Sequence, residues 1–597
     1  MDKIRDVFET IGWFFKDMTN GFSGFKDLAG SAEHAYTTAA RWIFIILALF
    51  ILVKSIISLL KTRNPSEVWA YFNVNGEVSN PITHWENVIG RSKSSDIEID
   101  DPAVSRNQGT LTREDDGRWK YTDLDSKNGS LINGEPIRRG TSRYIESGDE
   151  ITMGSSVCTL FPISLEEKRN NLLMRTQDTI WSSPWSSLIA LTVFQMMTIL
   201  QLKVALKDHF TPQITASFLG MAILMWGYII YQRSSGKKGF EMEIMAFFLS
   251  TMSLAVTASK FPNGVLKQFI AVAMGFVLFL LMCMILRDLD RAKGLRYYMY
   301  IAAALMLIAN LALGTTKFGA ANWVQIGGVS FQPSEIIKLA YIWAGAASLD
   351  ELMEKKNSLI FTLFSIFCFG CLALMGDFGT ALIFFVTFIV ISFLRSGDFT
   401  KIILIVGVAF AGGLMVLKFK SYIAKRFDVW GNVWDPQFAD GMGFQQTRTM
   451  SAAASGGLVG VGAGDGWLKN IPASETDLVF GFITEEWGLI IAFMAVLSII
   501  TLSIFAVRSI WSGRSAFYTI AACSAMSLFL FQTMLNVFGS VDIFPLTGVT
   551  FPFVSSGGTS MVSSWGMLSF LKAADTRQGA SFAVSKADDE GEVVLQS

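Results

Sequence analysis

The sequence predicts a multi-span α-helical membrane protein: a core of about ten spans, about three extra spans before it, and a small all-β domain after the first span. Three observations carry this. Of 597 residues, 51% are hydrophobic and only 17% charged, less charge than a soluble chain of this size normally holds. Apolar runs long enough to cross a bilayer recur through the second half. One polar stretch, residues 65–165, instead alternates in short strands with turn dipeptides such as Asn128-Gly129 and Asn133-Gly134, both read as hairpin signals. A net charge of −1 gives no basic field for nucleic acid.

Residues 1–36 show no cleavage-site pattern close behind an apolar core, so a removed signal peptide is not expected. A first span is expected at 37–60, with Lys54 snorkelling toward an interface. Lys61 and Arg63 follow, closing an N-terminal segment at residue 64 and placing what comes next in the cytoplasm. After the β domain, spans near 184–205 and 213–232 make an extra hairpin within 180–235.

The core is expected over 240–575, with spans near 241–259, 265–286, 297–314, 333–348, 358–375, 379–395, 401–418, 478–506, 516–538 and 548–572. A tail, 576–597, follows. Loop charges come after even-numbered core spans: Arg287, Arg291 and Lys293; Lys355 and Lys356; Arg395 and Lys401; Arg508 and Arg514. The positive-inside rule thus puts both ends of the core and the β domain in the cytoplasm. The connection 419–476 falls on the outer face, and its length, glycines, tryptophans and charge point to function.

Cys368 and Cys371 form a CxxC, but in apolar surroundings (IFCFGCLAL) without a second ligand pair they read as small apolar helix residues. His34, His84 and His209 all precede the core, so proton transfer there must use carboxylates, Lys, Tyr or water.

From Val88 to Gly154 the β stretch carries Gly90-Arg91, Ser105-Arg106, DLDSKNGS (Asp123–Ser130), Asn133-Gly134 and Gly148-Asp149. It resembles a forkhead-associated (FHA) domain, which implies a β-sandwich binding phosphothreonine peptides through loops at one end. A phosphate needs a guanidinium with hydroxyl and amide donors. Arg91, Ser105 and Arg106 supply these, and Asn128 can bond the peptide backbone. Gln108 stands where that family usually has a structural His.

Four further motifs resemble the SEDS family (the FtsW, RodA and SpoVE group). The first is WVQIGGVSFQPSEIIKLA (Trp323–Ala340), with Asn322 where the family often has Arg. Its Glu335 and Lys338 share a helix face, as a structural ion pair or as a polar element of a substrate groove. The second is Asp377-Phe378-Gly379-Thr380, where pairing of Asp377 within the bundle competes with a catalytic role. In the third, the outer loop, Arg426 precedes WDP and Gly443-Phe444-Gln445 precedes Ser455-Gly456-Gly457. GVGAGDGW then leads to IPASETDLVFGFITEEWG, and Arg448 stands where the family often has Gln. The fourth is PLTGVTFPFVSSGGTS (Pro545–Ser560), preceded by Gln532 and Asn536, with Ser555 a groove candidate.

The resemblance implies that Asp477 is the family's essential acid, against the alternative of a helix N-terminal residue favoured by the dipole. It implies growth of a glycan strand from lipid II, with loss of a polyprenyl pyrophosphate. A carboxylate could take the acceptor proton, or hold a divalent cation, Mg or Mn, on the leaving group. Arg426, Arg448 and Lys469 are the outer cations for the pyrophosphate, beside Gln445. Expected partners are lipid II, polyprenyl-linked glycan, a penicillin-binding transpeptidase and a phosphothreonine protein, at the bacterial cytoplasmic membrane. Two other readings are a lipid-linked sugar flippase and a non-catalytic scaffold.

Overall fold

A computed structural model describes residues 26–575, apart from 62–67, 77, 94, 115–116, 165, 168–169, 171–182, 318–319, 327–328, 350–354, 397–398, 420 and 512–514. The expectations for residues 1–25, Arg63, Arg514 and the tail 576–597 therefore lie outside the described residues, as do the side chains of Arg395 and Lys401. Helix α1 (Lys26–Lys61) is followed by eleven strands, β1 (Ala70–Val74) to β11 (Ser156–Pro162). These form two packed sheets, ordered β2-β1-β11-β10-β7-β8 and β4-β3-β5-β6-β9. Alternate residues such as Phe72, Ile89, Leu111, Tyr121, Ile151 and Leu160 fill the space between them. Asn133 and Gly134, both at positive φ (51° and 80°), turn the β7–β8 hairpin as expected. Asn128-Gly129 does not make a hairpin. It lies in the loop that carries the chain from β6 in one sheet to β7 in the other.

The helical part begins with α2 (Trp185–Leu206) and α3 (Pro212–Ser234). It continues with α4 (Glu241–Lys260), α5 (Val265–Ile285), the short α6 (Leu289–Gly294), α7 (Arg296–Leu313), α8 (Pro333–Ser348), α9 (Lys355–Met375), α10 (Phe378–Ser396) and α11 (Phe399–Phe419). Among the described residues nine helices are long and apolar enough to cross a membrane, and α10 and α11 contain shorter apolar stretches. Between α7 and α8 the chain forms an unanticipated three-stranded sheet, β12-β13-β14 (Thr315–Lys317, Ala320–Ile326, Val329–Phe331).

The outer loop is partly helical: α12 (Ser421–Val429), α13 (Pro436–Ala439) and α14 (Phe444–Gly456). The expected span 478–506 is two helices, α15 (Val479–Trp487) and α16 (Leu489–Trp511). Gly488 separates them at φ 88°, where a β-carbon would stand 2.3 Å from the Leu458 carbonyl oxygen. After α17 (Ala516–Ser540), the last expected span is helical only from α18 (Gly558–Ala573). Residues 541–557 are irregular because Pro545 and Pro552 lack N–H donors and Gly548 takes φ +70°.

Hydrogen bonds sort the bundle into two end layers. At one, Ser58 meets Glu241, Arg508 meets the Leu59 carbonyl, and Lys572 pairs with Glu243 at 2.9 Å. At the other, reached by the far ends of α1 and α4, lie the outer loop, residues 541–557 and Asp477.

Candidate active site and phosphopeptide site

Asp477 ends a turned segment, 471–478, that leads into α15. Ala473, at φ +58°, lets its carbonyl collect the N–H groups of Thr476 and Asp477 at 3.2 and 3.0 Å. Backbone of this kind has no water to satisfy it in a bilayer, so side chains must do so. Asn536 Nδ2 of α17 lies 3.3, 3.1 and 2.8 Å from the carbonyl oxygens of Thr476, Asp477 and Val549, donating among them. Ser555 Oγ donates to the Thr476 carbonyl (2.7 Å) and accepts from Phe551 N (2.8 Å). Ser556 N donates to the Glu475 carbonyl at 2.8 Å. The irregular segment 545–557 thus forms one wall of the site. Gly548, exposed, is its nearest point: a β-carbon there would stand 3.3 Å from the Asp477 carboxylate.

That carboxylate is partly open beside Gly548, yet protein surrounds it densely. Burial pushes its pKa up to about 6, the Thr476 hydroxyl pulls it down, Glu475 pushes it up and Arg426 pulls it down. Arg426, on α12, also donates to the Leu546 carbonyl at 3.2 Å and so borders the same wall. Gln445 Nε2 donates to the Pro472 carbonyl at 2.9 Å, fixing the Asp477 segment from the α14 side.

Lys260 was not anticipated. At the end of α4 it pairs with Glu475 (2.6 Å) and donates to the Ile471 carbonyl (2.7 Å) and Ser474 Oγ (2.9 Å). Its signal in the sequence was a cation at the outer end of a span, against the inside bias.

Other predicted residues lie elsewhere. Arg448 pairs with exposed Asp440 at 3.1 Å, on the loop surface. Lys469 donates to the Gly464 carbonyl at 2.7 Å, in the glycine-rich run. Glu335 and Lys338 form a buried pair at 2.7 Å, 6% and 1% exposed, where α8 packs on α18. Asp377 is buried, accepting from Asn322 Nδ2 (2.7 Å) and Thr380 N (3.1 Å) at the start of α10. Asn322 thus supplies a neutral donor to Asp377. Gly379 meets the back of the wall, its β-carbon position 3.0 Å from the Thr547 carbonyl oxygen. Among the described residues no three His, Cys, Asp or Glu side chains are gathered to hold a metal ion.

In the β-sandwich, the predicted phosphopeptide residues share one end. Arg91 N donates to the Ser105 carbonyl (3.0 Å) and Ser92 N to the Arg106 carbonyl (3.1 Å). Ser105 Oγ accepts from Lys127 N at 3.0 Å, and Asn128 Nδ2 donates to the Ala103 carbonyl at 2.7 Å. The loops approach so closely that a β-carbon on Gly90 would stand 2.1 Å from the Arg106 carbonyl oxygen. Arg91, Arg106 and Asn128 are exposed at this surface. Gln108, 0% exposed, ties it together. Its Oε1 accepts from Ser105 N (2.8 Å), and its Nε2 donates among Ser126 Oγ, the Gly129 carbonyl and Ser130 Oγ (3.0, 2.8 and 3.1 Å).

Residues 240–579, more than half of the chain, match the FtsW/RodA/SpoVE family model, described as cell cycle protein. The chain belongs to that family. Residues 87–154 match the FHA domain model, so this FtsW/RodA/SpoVE member carries an N-terminal FHA domain. A Buchnera aphidicola protein named probable peptidoglycan glycosyltransferase FtsW is 30% identical over 46% of this chain and 71% of its own length. The Escherichia coli O6:H1 protein of the same name is 28% identical over 44% of this chain, which spans 66% of that relative. A chain from a solved peptidoglycan synthase complex is 24% identical, covering 57% of this chain and 98% of itself, at a TM-score of 0.47.

Proposed function

We propose that this family member polymerises peptidoglycan glycan from lipid II on the outer membrane face, with Asp477 as general base. The observation that carries the reading is the half-buried Asp477 carboxylate in the layer opposite Arg508 and Lys572, beside the open Gly548. The positive-inside rule supports assigning that layer to the outside and the FHA domain to the cytoplasm.

The acceptor sugar hydroxyl attacks the anomeric carbon of the donor glycan. Asp477 takes the hydroxyl proton as the new C–O bond forms. The bond from the anomeric carbon to the polyprenyl pyrophosphate breaks, and the pyrophosphate leaves with the electron pair. A pKa near 6 leaves Asp477 ionised at neutral pH and still basic enough for this transfer. Arg426 supplies positive charge at the same wall. The alternative use of Asp477, in place of proton abstraction, would be to hold a divalent cation, Mg or Mn, that neutralises charge on the leaving pyrophosphate, since Mg²⁺ uses one or two carboxylates plus substrate phosphates. A penicillin-binding transpeptidase would dock on the spans. A phosphothreonine protein held by Arg91, Ser105, Arg106 and Asn128 would recruit or regulate the enzyme, and α1 gives that signal a covalent path toward the outer layer.

The test is polymerisation of labelled lipid II by the purified full chain. Wild type should give polymer and folded Asp477→Ala none. Normal polymer from the mutant would overturn the base assignment. Lipid II moved across a vesicle unchanged would favour the flippase.

A further inference from the structure

Helices α1–α3 precede the family match, which begins at residue 240, yet α1 and α2 reach the loop that leads to Asp477. We propose that these two accessory helices clasp the glycine-rich run 460–466 and that Arg41 is a positioning residue for polymerisation. This rests on the reading of Asp477 as the catalytic base.

The geometry is specific. Arg41, fifteen residues into α1 and in the outer part of its apolar span, donates through Nη2 to the Val461 carbonyl. A guanidinium on an apolar helix is costly in lipid unless protein acceptors meet it, and its fork is preorganised for them. One turn earlier, Thr37 lies against Gly462, where a β-carbon would stand 2.9 Å from Thr37 Cγ2 and 3.2 Å from Gln201 Nε2 of α2. At Gly464 a β-carbon would stand 2.8 Å from Ala205 Cβ, also of α2.

The neighbouring glycines face the other way. A β-carbon on Gly460 would stand 2.4 Å from the Glu486 carbonyl oxygen, and one on Gly466 2.7 Å from Glu485 Oε2. The run is therefore gripped between α15 and the accessory pair. Trp487 closes the contact, 4.8 Å from Phe44 and 5.5 Å from Phe194 between ring centres.

The clasp is polar at its heart. The Gln201 amide, the Trp487 indole N–H and one Glu486 oxygen have no hydrogen-bond partner among the described residues. Gln201, Glu486 and Trp487, with Arg41, border a cavity of about 10 Å³, room for one water. Downstream of the gripped run, the Glu485 carboxylate accepts from Trp467 N and Leu468 N (3.0 and 2.9 Å), and Lys260 holds the Ile471 carbonyl (2.7 Å). A continuous series of fixed backbone points thus runs from Arg41 to Asp477.

The experiment uses the full chain in proteoliposomes with labelled lipid II, plus amide exchange read over 459–468. Arg41→Ala should lower kcat at least tenfold with KM unchanged, and speed exchange in that loop while exchange in the FHA sandwich stays constant. Arg41→Lys keeps a donor for Val461 and should recover most of the kcat. Ala205→Leu, which pushes the run off α2 from the accessory side with Arg41 and Gly464 (φ +86°) intact, should reproduce the kcat loss even where Arg41→Ala folds poorly. Wild-type turnover in Arg41→Ala and Ala205→Leu, unchanged loop exchange, or no rescue by lysine would overturn the clasp. Polymer from Asp477→Asn at the wild-type rate would sink the base reading instead, and the exchange arm still decides the clasp.

Discussion

The phosphopeptide end of the FHA sandwich and the Asp477 site are both loop constellations tied by one buried amide side chain, Gln108 in the first and Asn536 in the second. They differ in what surrounds the loops. Around the sandwich, water reaches the loop tips, so Arg91, Arg106 and Asn128 stay exposed although the loops beneath them are cross-bonded. Near Asp477 side chains meet the turned carbonyls of Ile471, Pro472, Thr476 and Asp477, through Lys260, Gln445, Ser555 and Asn536. On the proposed reading, the membrane site therefore has a fixed frame and a carboxylate tuned by burial. The sandwich site has a fixed frame and solvated recognition groups.

The comparison breaks most visibly at the groups themselves. Asp477→Asn keeps the shape of the side chain and removes the proposed base. Lipid II turnover should fall by about 10²–10⁴-fold, the range for loss of a general base. Arg91→Ala or Arg106→Ala should weaken a phosphothreonine peptide by about tenfold or more, because each removes a charge-assisted phosphate contact of about 1.5–3 kcal/mol. Polymerisation without the phosphopeptide should be untouched by either change. Isothermal titration of the peptide and the lipid II assay read the two sites separately.

Burial gives the membrane site a second, smaller signature. Asp477 must be ionised to accept a proton, and its pKa stands near 6. Turnover should be flat above about pH 7 and fall about tenfold per pH unit well below 6, because the protonated fraction then dominates. Arg426 holds that pKa down, so Arg426→Gln should move the midpoint upward. A midpoint that stays put, or moves down, would detach Arg426 from the electrostatics of the site.

These contrasts explain what could be read from the chain alone. Among the described residues, hydropathy located nine of the thirteen expected spans as helices long and apolar enough to cross, because lipid demands apolar length, while 333–348, 379–395, 401–418 and 548–572 hold shorter ones. The FHA loops were legible because phosphate recognition uses few residue types in short motifs. The break at Gly488 was missed because apolar residues run on both sides of it, although Glu485 and Glu486 just before it interrupt the apolar run. Residues 548–557 read as the start of a span because they are largely apolar, although Pro545, Pro552 and Gly548 hold 541–557 irregular. Asp477 and Ser555 were legible by motif, and the structure brings them to one wall through the Thr476 carbonyl. Lys469 and Arg448 were grouped with them only by charge and side of the membrane, and pairing sends both elsewhere. Asn322 shows that a missing cation can be replaced by a neutral donor, since it meets Asp377 at 2.7 Å.

The smallest effect tests the frame rather than the ligand contacts. Gln108 accepts from the Ser105 loop and donates to the 126–130 loop, which places Ser105 and Asn128 on one surface. Gln108→Ala would leave Ser105 N and the Gly129 carbonyl without this partner in a part-buried place, costing about 1 kcal/mol, toward the low end for a lost buried partner. Much of that should appear as lower stability of the sandwich. Gln108→His should be milder, because a neutral imidazole accepts at one nitrogen and donates at the other and can span the same two loops. Its phosphopeptide affinity should stay within about threefold of wild type, under 1 kcal/mol by the usual conversion. Melting of the sandwich should fall for Gln108→Ala and much less for Gln108→His. If histidine were as damaging as alanine, the bridge between the loops would depend on amide geometry itself, and the likeness between Gln108 and Asn536 as carbonyl-tying amides would become closer.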